Sequence, residues 1–90
     1  MIKAKQLINK KGNPAANQFV LYDGNTMYFQ SYDTVIAKVE GRKLSLTNGA
    51  LDYSKTTNKH LHIFLEDYAG INKTTAELRK DIKNGTITTF

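Results

Sequence analysis

Ninety residues with no cysteine, 40% of them hydrophobic and 23% charged, suit one small globular domain held by packing alone, and exclude disulfide staples and thiolate metal sites. Thirteen Lys and Arg against eight Asp and Glu give a formal charge of +5, a bias toward polyanionic partners that rules out an acidic mimic of nucleic acid. No apolar run approaches the ~20 residues of a membrane span and the basic start, MIKAKQLINKKGN, lacks the apolar core of a signal peptide, so a cytoplasmic protein is expected.

In chain order, Ile2 to Lys11 carries Leu7 and Ile8 among four lysines and has two readings. It is a short helix over Lys3 to Lys10, stopped by Gly12 as a left-handed cap and by Pro14, or it is a first edge strand. Gly12 to Asn17 is a turn or loop, because Asn13 before Pro14 disfavours helix. From Gln18 onward the apolar residues alternate. Gln18 to Tyr22, Thr26 to Tyr32, Thr34 to Val39 and Lys43 to Leu46 read as four strands, punctuated by Asp23-Gly24-Asn25 and by Glu40-Gly41. Ser31 to Thr34 is a clean break, or a corner or bulge in one longer bent strand. Alternation within each strand separates an apolar face, assigned Phe19, Leu21, Met27, Phe29, Val35, Ala37 and Leu44, from one carrying Tyr22, Tyr28, Gln30 and Tyr32.

After Thr47-Asn48-Gly49 the period changes. Leu61, Phe64, Leu65 and Tyr68 fall at i, i+3, i+4 and i+7, predicting an amphipathic helix from about Thr57 to Tyr68, with N-caps available in Ser54 to Thr57 and a stop at Gly70. Ile63 lies off that stripe. Thr74 and Glu77 are spaced as a capping box, which predicts a second helix from about Thr75 to Asn84, buried through Leu78 and Ile82 and ended by Gly85. The β-prone tail Thr86 to Phe90 could return to a sheet edge, anchored by Ile87 and Phe90. The expected fold is α+β: a four-stranded antiparallel meander with two helices packed on the sheet.

The run NKKGNPAANQFV, followed by DGNTMYFQSYDTVIAKVEGRKLSL and DYSKTTNKHLHIFL, resembles a family of small uncharacterised proteins of phages and mobile elements of Gram-positive bacteria. GNPAANQF and YFQSYDTVIA are its most distinctive segments. The resemblance implies a phage accessory protein acting in the host cytoplasm, and such proteins commonly serve as regulators, replication accessories or inhibitors of host defence. It supplies no activity and no site residues.

The side chains argue against catalysis. His60 and His62 stand at i and i+2, which on a helix point to different sides, so they do not chelate one metal, and no metal or cofactor is expected. Asp52, Glu66, Asp67 and Asp81 are scattered, and no nucleophile elbow or phosphate-binding glycine loop is present.

Two stretches could bind. Ser54 to His60 is basic and rich in hydroxyls and amides, and it leads into the first helix, where free N–H groups and the dipole favour phosphate; its nucleic-acid contacts would be Lys55, Thr57, Asn58, Lys59 and His60. The plainer reading is a capped helix with solvated lysines. The second is the tyrosine face, Tyr22, Tyr28 and Tyr32, with Gln30 and Lys38, which could stack on bases or anchor a protein such as a host nucleoprotein, for instance a CRISPR effector. The plainer reading there is a face covered by the second helix or the tail.

Overall fold

Two-residue turns decide which side chains reach the core. The computed structural model describes residues 2–90. Its strands are β1 (Lys3–Ile8), β2 (Pro14–Asp23), β3 (Thr26–Ser31), β4 (Thr34–Glu40), β5 (Lys43–Leu46) and β6 (Thr88–Thr89). They lie side by side in sequence order in one six-stranded sheet. β1 to β5 form an antiparallel meander, whereas β6 runs parallel to β5. Between β5 and β6 the chain passes through α1 (Lys55–Ile63), a π-helical turn (Phe64–Tyr68) that prolongs it, and α2 (Thr75–Lys83). A parallel pair needs such a crossover, because a hairpin returns the chain antiparallel.

The mixed α+β architecture with two helices is as expected, but the sheet has six strands instead of four and is partly parallel. At one edge Lys3–Ile8 is a strand, not a helix. The Asn9 carboxamide accepts from the N–H groups of Lys11 and Asn13, and Gly12, at φ 82°, turns the chain into β2 instead of capping a helix. At the other edge the tail does return. Ile87 is buried and the Thr88 hydroxyl meets that of Ser45 at 2.7 Å, while Phe90 stays exposed and is held by its backbone, its N–H donating to the Leu46 carbonyl at 3.0 Å.

The face assignment needs correcting in β2. Asp23 pairs with Thr26, so the loop is Gly24-Asn25 alone, with Gly24 at φ 60° as the first position of a type II′ turn requires. Counting Asp23 into the loop would pair Leu21 with Met27. The actual register pairs Tyr22 with Met27 and Val20 with Phe29, and one step of register moves every side chain of a strand to the other face. Val20 is therefore buried and Tyr22 packs against the core, whereas Phe19 and Leu21 lie half-buried on the opposite face beside Tyr28. In β4 a bulge does the same. Phe29 pairs with Ala37 but Gln30 with Val35, so Ile36 is the extra residue, wholly buried, and Val35 turns to the outer face.

The inner face is covered by the helices. Leu61, Phe64, Leu65 and Leu78 are all fully buried, and the Phe64 ring stacks on Phe29 at 5.7 Å and on Tyr68 at 6.2 Å. The Tyr68 hydroxyl accepts from the Ile8 N–H at 3.0 Å, pinning the end of β1 to the π turn. Ile63, off the amphipathic stripe, is buried as well, because α1 is not a surface helix on all its other sides. Asn58 and His62 both bond the Thr75 hydroxyl, at 3.2 and 2.9 Å, which ties α1 to the start of α2. The predicted capping box is present: Thr74 Oγ1 accepts from the Glu77 N–H, and the Glu77 carboxylate accepts from the Thr74 N–H.

Phe64→Ala removes the ring at the centre of this stack and should cost about 3–5 kcal/mol, read from the shift in urea midpoint at constant m. The acid limb of stability follows from two carboxyls. Hydrogen bonds from Thr74 hold Glu77 below its ordinary value, and Arg79 does the same to Asp52. A lowered folded value means stability that is complete above the unfolded carboxylate range and lost as pH falls through and below it. Thermal melts should therefore show a falling midpoint below about pH 4, and Glu77→Gln should flatten part of that slope.

Candidate nucleic-acid interface

α1 begins at Lys55, two residues before its expected start, because Ser54 is the cap: its backbone is extended and its Oγ accepts from the Thr57 N–H at 3.0 Å. The N–H groups of Lys55 and Thr56 belong to the first turn, which an α-helix leaves without intrahelical acceptors. A short 3-10 turn, Ala50–Asp52, brings the chain to this point, fixed by buried Ala50 and Leu51.

The five residues of the basic stretch separate once the helix forms. Lys55 and Lys59, four apart, are exposed on one side and make no ion pair among the described residues. Thr57 is half-buried and turns toward the β3–β4 hairpin. Asn58 is committed to α2 through Thr75, and the His60 ring nitrogen Nδ1 bonds the Thr56 carbonyl at 2.9 Å. Asn58 is thus an interhelix fastening through its Nδ2, while its Oδ1 is buried without a hydrogen-bond partner among the described residues. His62, the second histidine, is also taken up by Thr75.

The tyrosines do not share a face. Tyr22 lies on the inner side with Lys5 Nζ 6.0 Å above its ring, and burial raises its phenol above the ordinary value. Tyr28 lies on the outer face opposite Leu21 and Lys38. Tyr32 occupies the first position of the two-residue β3–β4 turn, where the neighbouring hairpins place Gly24 and Gly41. It holds φ 56°, a left-handed conformation that costs most side chains free energy, and the residue is 63% exposed. Both backbone groups of Tyr32 are fastened: its N–H donates to the Asn17 carbonyl at 2.7 Å, and its carbonyl accepts from Gln30 Nε2 at 2.7 Å.

This hairpin and the start of α1 enclose a cleft of about 190 Å³. Ser31, Tyr32, Thr34 and Ile36 line it from the sheet, and Tyr53, Ser54 and Thr57 from the helix. It brings together one residue of each predicted set, Tyr32 and Thr57. Tyr53, 51% exposed, was not singled out by sequence because it stands alone between turn and helix. A second hollow, of about 260 Å³, shares Ser54 and continues past Leu51 and Asp52 to Lys55 and Asn58. Among the described residues no group of His, Asp and Glu could hold a metal ion, and no helix is long and apolar enough to cross a membrane.

The geometry defines a small α+β protein with a cleft at a helix N-terminus. Residues 2–84 match a family of unknown function, DUF8033, and the chain belongs to that family. No curated protein and no solved structure matches it.

Tyr32→Gly relieves the left-handed strain and deletes an exposed ring. Guanidinium melts should show stability unchanged or raised by up to about 1 kcal/mol, in contrast to the loss expected at an ordinary strand-end tyrosine.

Proposed function

We propose that this chain is a non-enzymatic accessory protein of a phage or mobile element, acting in the host cytoplasm, that binds nucleic acid through the start of α1. The observation that carries the reading is the pairing of two exposed, unneutralised lysines, Lys55 and Lys59, with first-turn N–H groups that favour an anion. Elsewhere several cations are already matched: Lys10 by Glu66 and Asp67, Lys73 by Asp81, and Arg79 by Asp52. Most of the other cations are likewise unpaired among the described residues, so it is the place of Lys55 and Lys59 at the start of a helix that sets them apart. Thr57 and the cleft beside it supply hydroxyls, and His60 stands one residue beyond Lys59 on the same helix.

A second reading is favoured by one specific feature, the outer sheet face. Phe19, Leu21, Tyr28 and Val35 are only half-buried there, on the side of the sheet away from Phe64 and the helices. An inhibitor of host defence machinery, such as one acting on a CRISPR effector, would use that face as an aromatic and aliphatic anchor. Tyr28 is then the contact, without Tyr22, which faces inward.

Fluorescence anisotropy with labelled DNA and RNA oligonucleotides tests the first reading. Affinity should fall steeply as salt rises, and Lys59→Ala should weaken it while stability stays within about 0.5 kcal/mol of the parent. No anisotropy change with any oligonucleotide at low salt rejects nucleic-acid binding. Under the second reading Tyr28→Ala abolishes capture of a host protein that survives nuclease treatment, and Lys59→Ala leaves it intact.

A further inference from the structure

The cleft between the β3–β4 hairpin and α1 contains a polar group with nothing to bond. Ser31 is 5% exposed, lies on the inner face at the cleft, and its Oγ has no hydrogen-bond partner among the described residues. Its cross-strand neighbour, Gln18, is 2% exposed and its Oε1 is likewise without a partner. Buried polar atoms of this kind are costly, and with Asn58 Oδ1 they are three among the described residues, of which the Ser31 hydroxyl belongs to this cleft. Ser31 lines a cleft whose mouth is flanked by the two exposed tyrosines, Tyr32 and Tyr53, and whose far wall is the cap of a nine-residue helix.

We propose that this cleft takes one unstacked nucleotide of a single-stranded nucleic acid. The proposal rests on the nucleic-acid reading above and narrows it to a strand type and a pocket. The base enters between Tyr32 and Tyr53, whose rings offer π-faces, and its polar edge meets the unpartnered hydroxyl of Ser31, that of Thr57, which accepts from Ser54 and can donate, and that of Thr34, which donates to Asp33 and can accept. The phosphate sits at the start of α1, on the first-turn N–H groups and beside Lys55.

Charge sets the direction. Asp33, next to Tyr32 in the hairpin turn, repels a phosphate at that end, whereas Asp52 on the helix side is neutralised by Arg79 at 2.6 Å. The backbone of the strand therefore follows the second hollow, from Ser54 toward Lys55. A duplex does not fit this use, because its bases are already stacked on one another and present no free ring face to a tyrosine. The left-handed Tyr32 falls into place as well: glycine would relax the turn, and the strain is retained where an aromatic ring is needed at the cleft mouth.

The test is anisotropy and calorimetric titration of the full chain with a dT decamer, an rU decamer, a duplex decamer and free dTMP. A decamer should bind more tightly than the duplex and more tightly than dTMP. Tyr32→Gly and Tyr53→Ala should each weaken it about tenfold, the loss expected for a stacked base, while Tyr32→Phe and Tyr53→Phe retain affinity. Heteronuclear spectra of each variant establish that the fold is kept, and in the parent the Ser31 and Thr57 amides should shift on titration. Equal affinity for duplex and single strand, or decamer binding unchanged in both tyrosine variants, overturns the cleft and leaves the lysine-based reading standing if Lys59→Ala still weakens binding. Saturation by dTMP as tight as by the decamer reassigns the cleft to a free nucleotide and overturns the single-strand proposal. Absence of binding by every probe at low salt removes both readings.

Discussion

Register is the constraint on which the rest of this structure depends. The turns Gly24-Asn25, Tyr32-Asp33 and Gly41-Arg42 each join two strands with only two residues, and each places a left-handed residue first. Loop length then fixes which residues pair, and the pairing fixes which face each side chain occupies. Val20, Phe29, Ala37 and Leu46 fall on one face, where Phe64 and Leu78 cover them. The bulge at Ile36 adds one more buried side chain and turns Val35 outward, so a core for this short chain is made without lengthening any strand.

The helical layer is fixed to that face at both ends. The Phe29–Phe64–Tyr68 stack joins sheet to helix, and the π turn leaves Tyr68 positioned to accept from β1. Its geometry is visible in the backbone, where Ala69 donates to the Phe64 carbonyl at 3.1 Å, five residues back. Lys10, between Glu66 and Asp67, fastens the β1–β2 connection to the same turn. These pairs are exposed and individually weak, so they orient the connection more than they stabilise the fold.

The candidate site is a by-product of the same arrangement. Packing α1 against the inner face sets its first turn beside the β3–β4 hairpin, which places Tyr32 across from Tyr53 and Thr57. Segments distant in the chain thereby form one cleft, and Ser31, on the inner face, supplies it with a buried hydroxyl. Asn58, from the basic stretch, and His62, just beyond it, serve instead to hold the two helices together.

Local rules were enough for the elements. Alternation, the i, i+3, i+4, i+7 stripe from Leu61 to Tyr68 and the Thr74/Glu77 box depend on neighbours a few residues away, and the four central strands, both helices and the cap at Thr74 could be read from them, though β2 begins at Pro14, inside the expected loop. The segment Lys3–Ile8 could not, since in KAKQLI the alternation is too short and too polar to tell an edge strand from a short helix until a partner strand is present. The faces of β2 and the separation of Tyr22 from Tyr28 likewise turned on whether Asp23 is paired, a difference of one residue in loop length that no side-chain pattern encodes, and Tyr32 left the strand because Ser31 pairs with Thr34. The cleft lay furthest from the sequence: it exists because α1 docks beside one particular hairpin, and contacts between distant segments are set by packing of the whole chain, not by the spacing of residues along it.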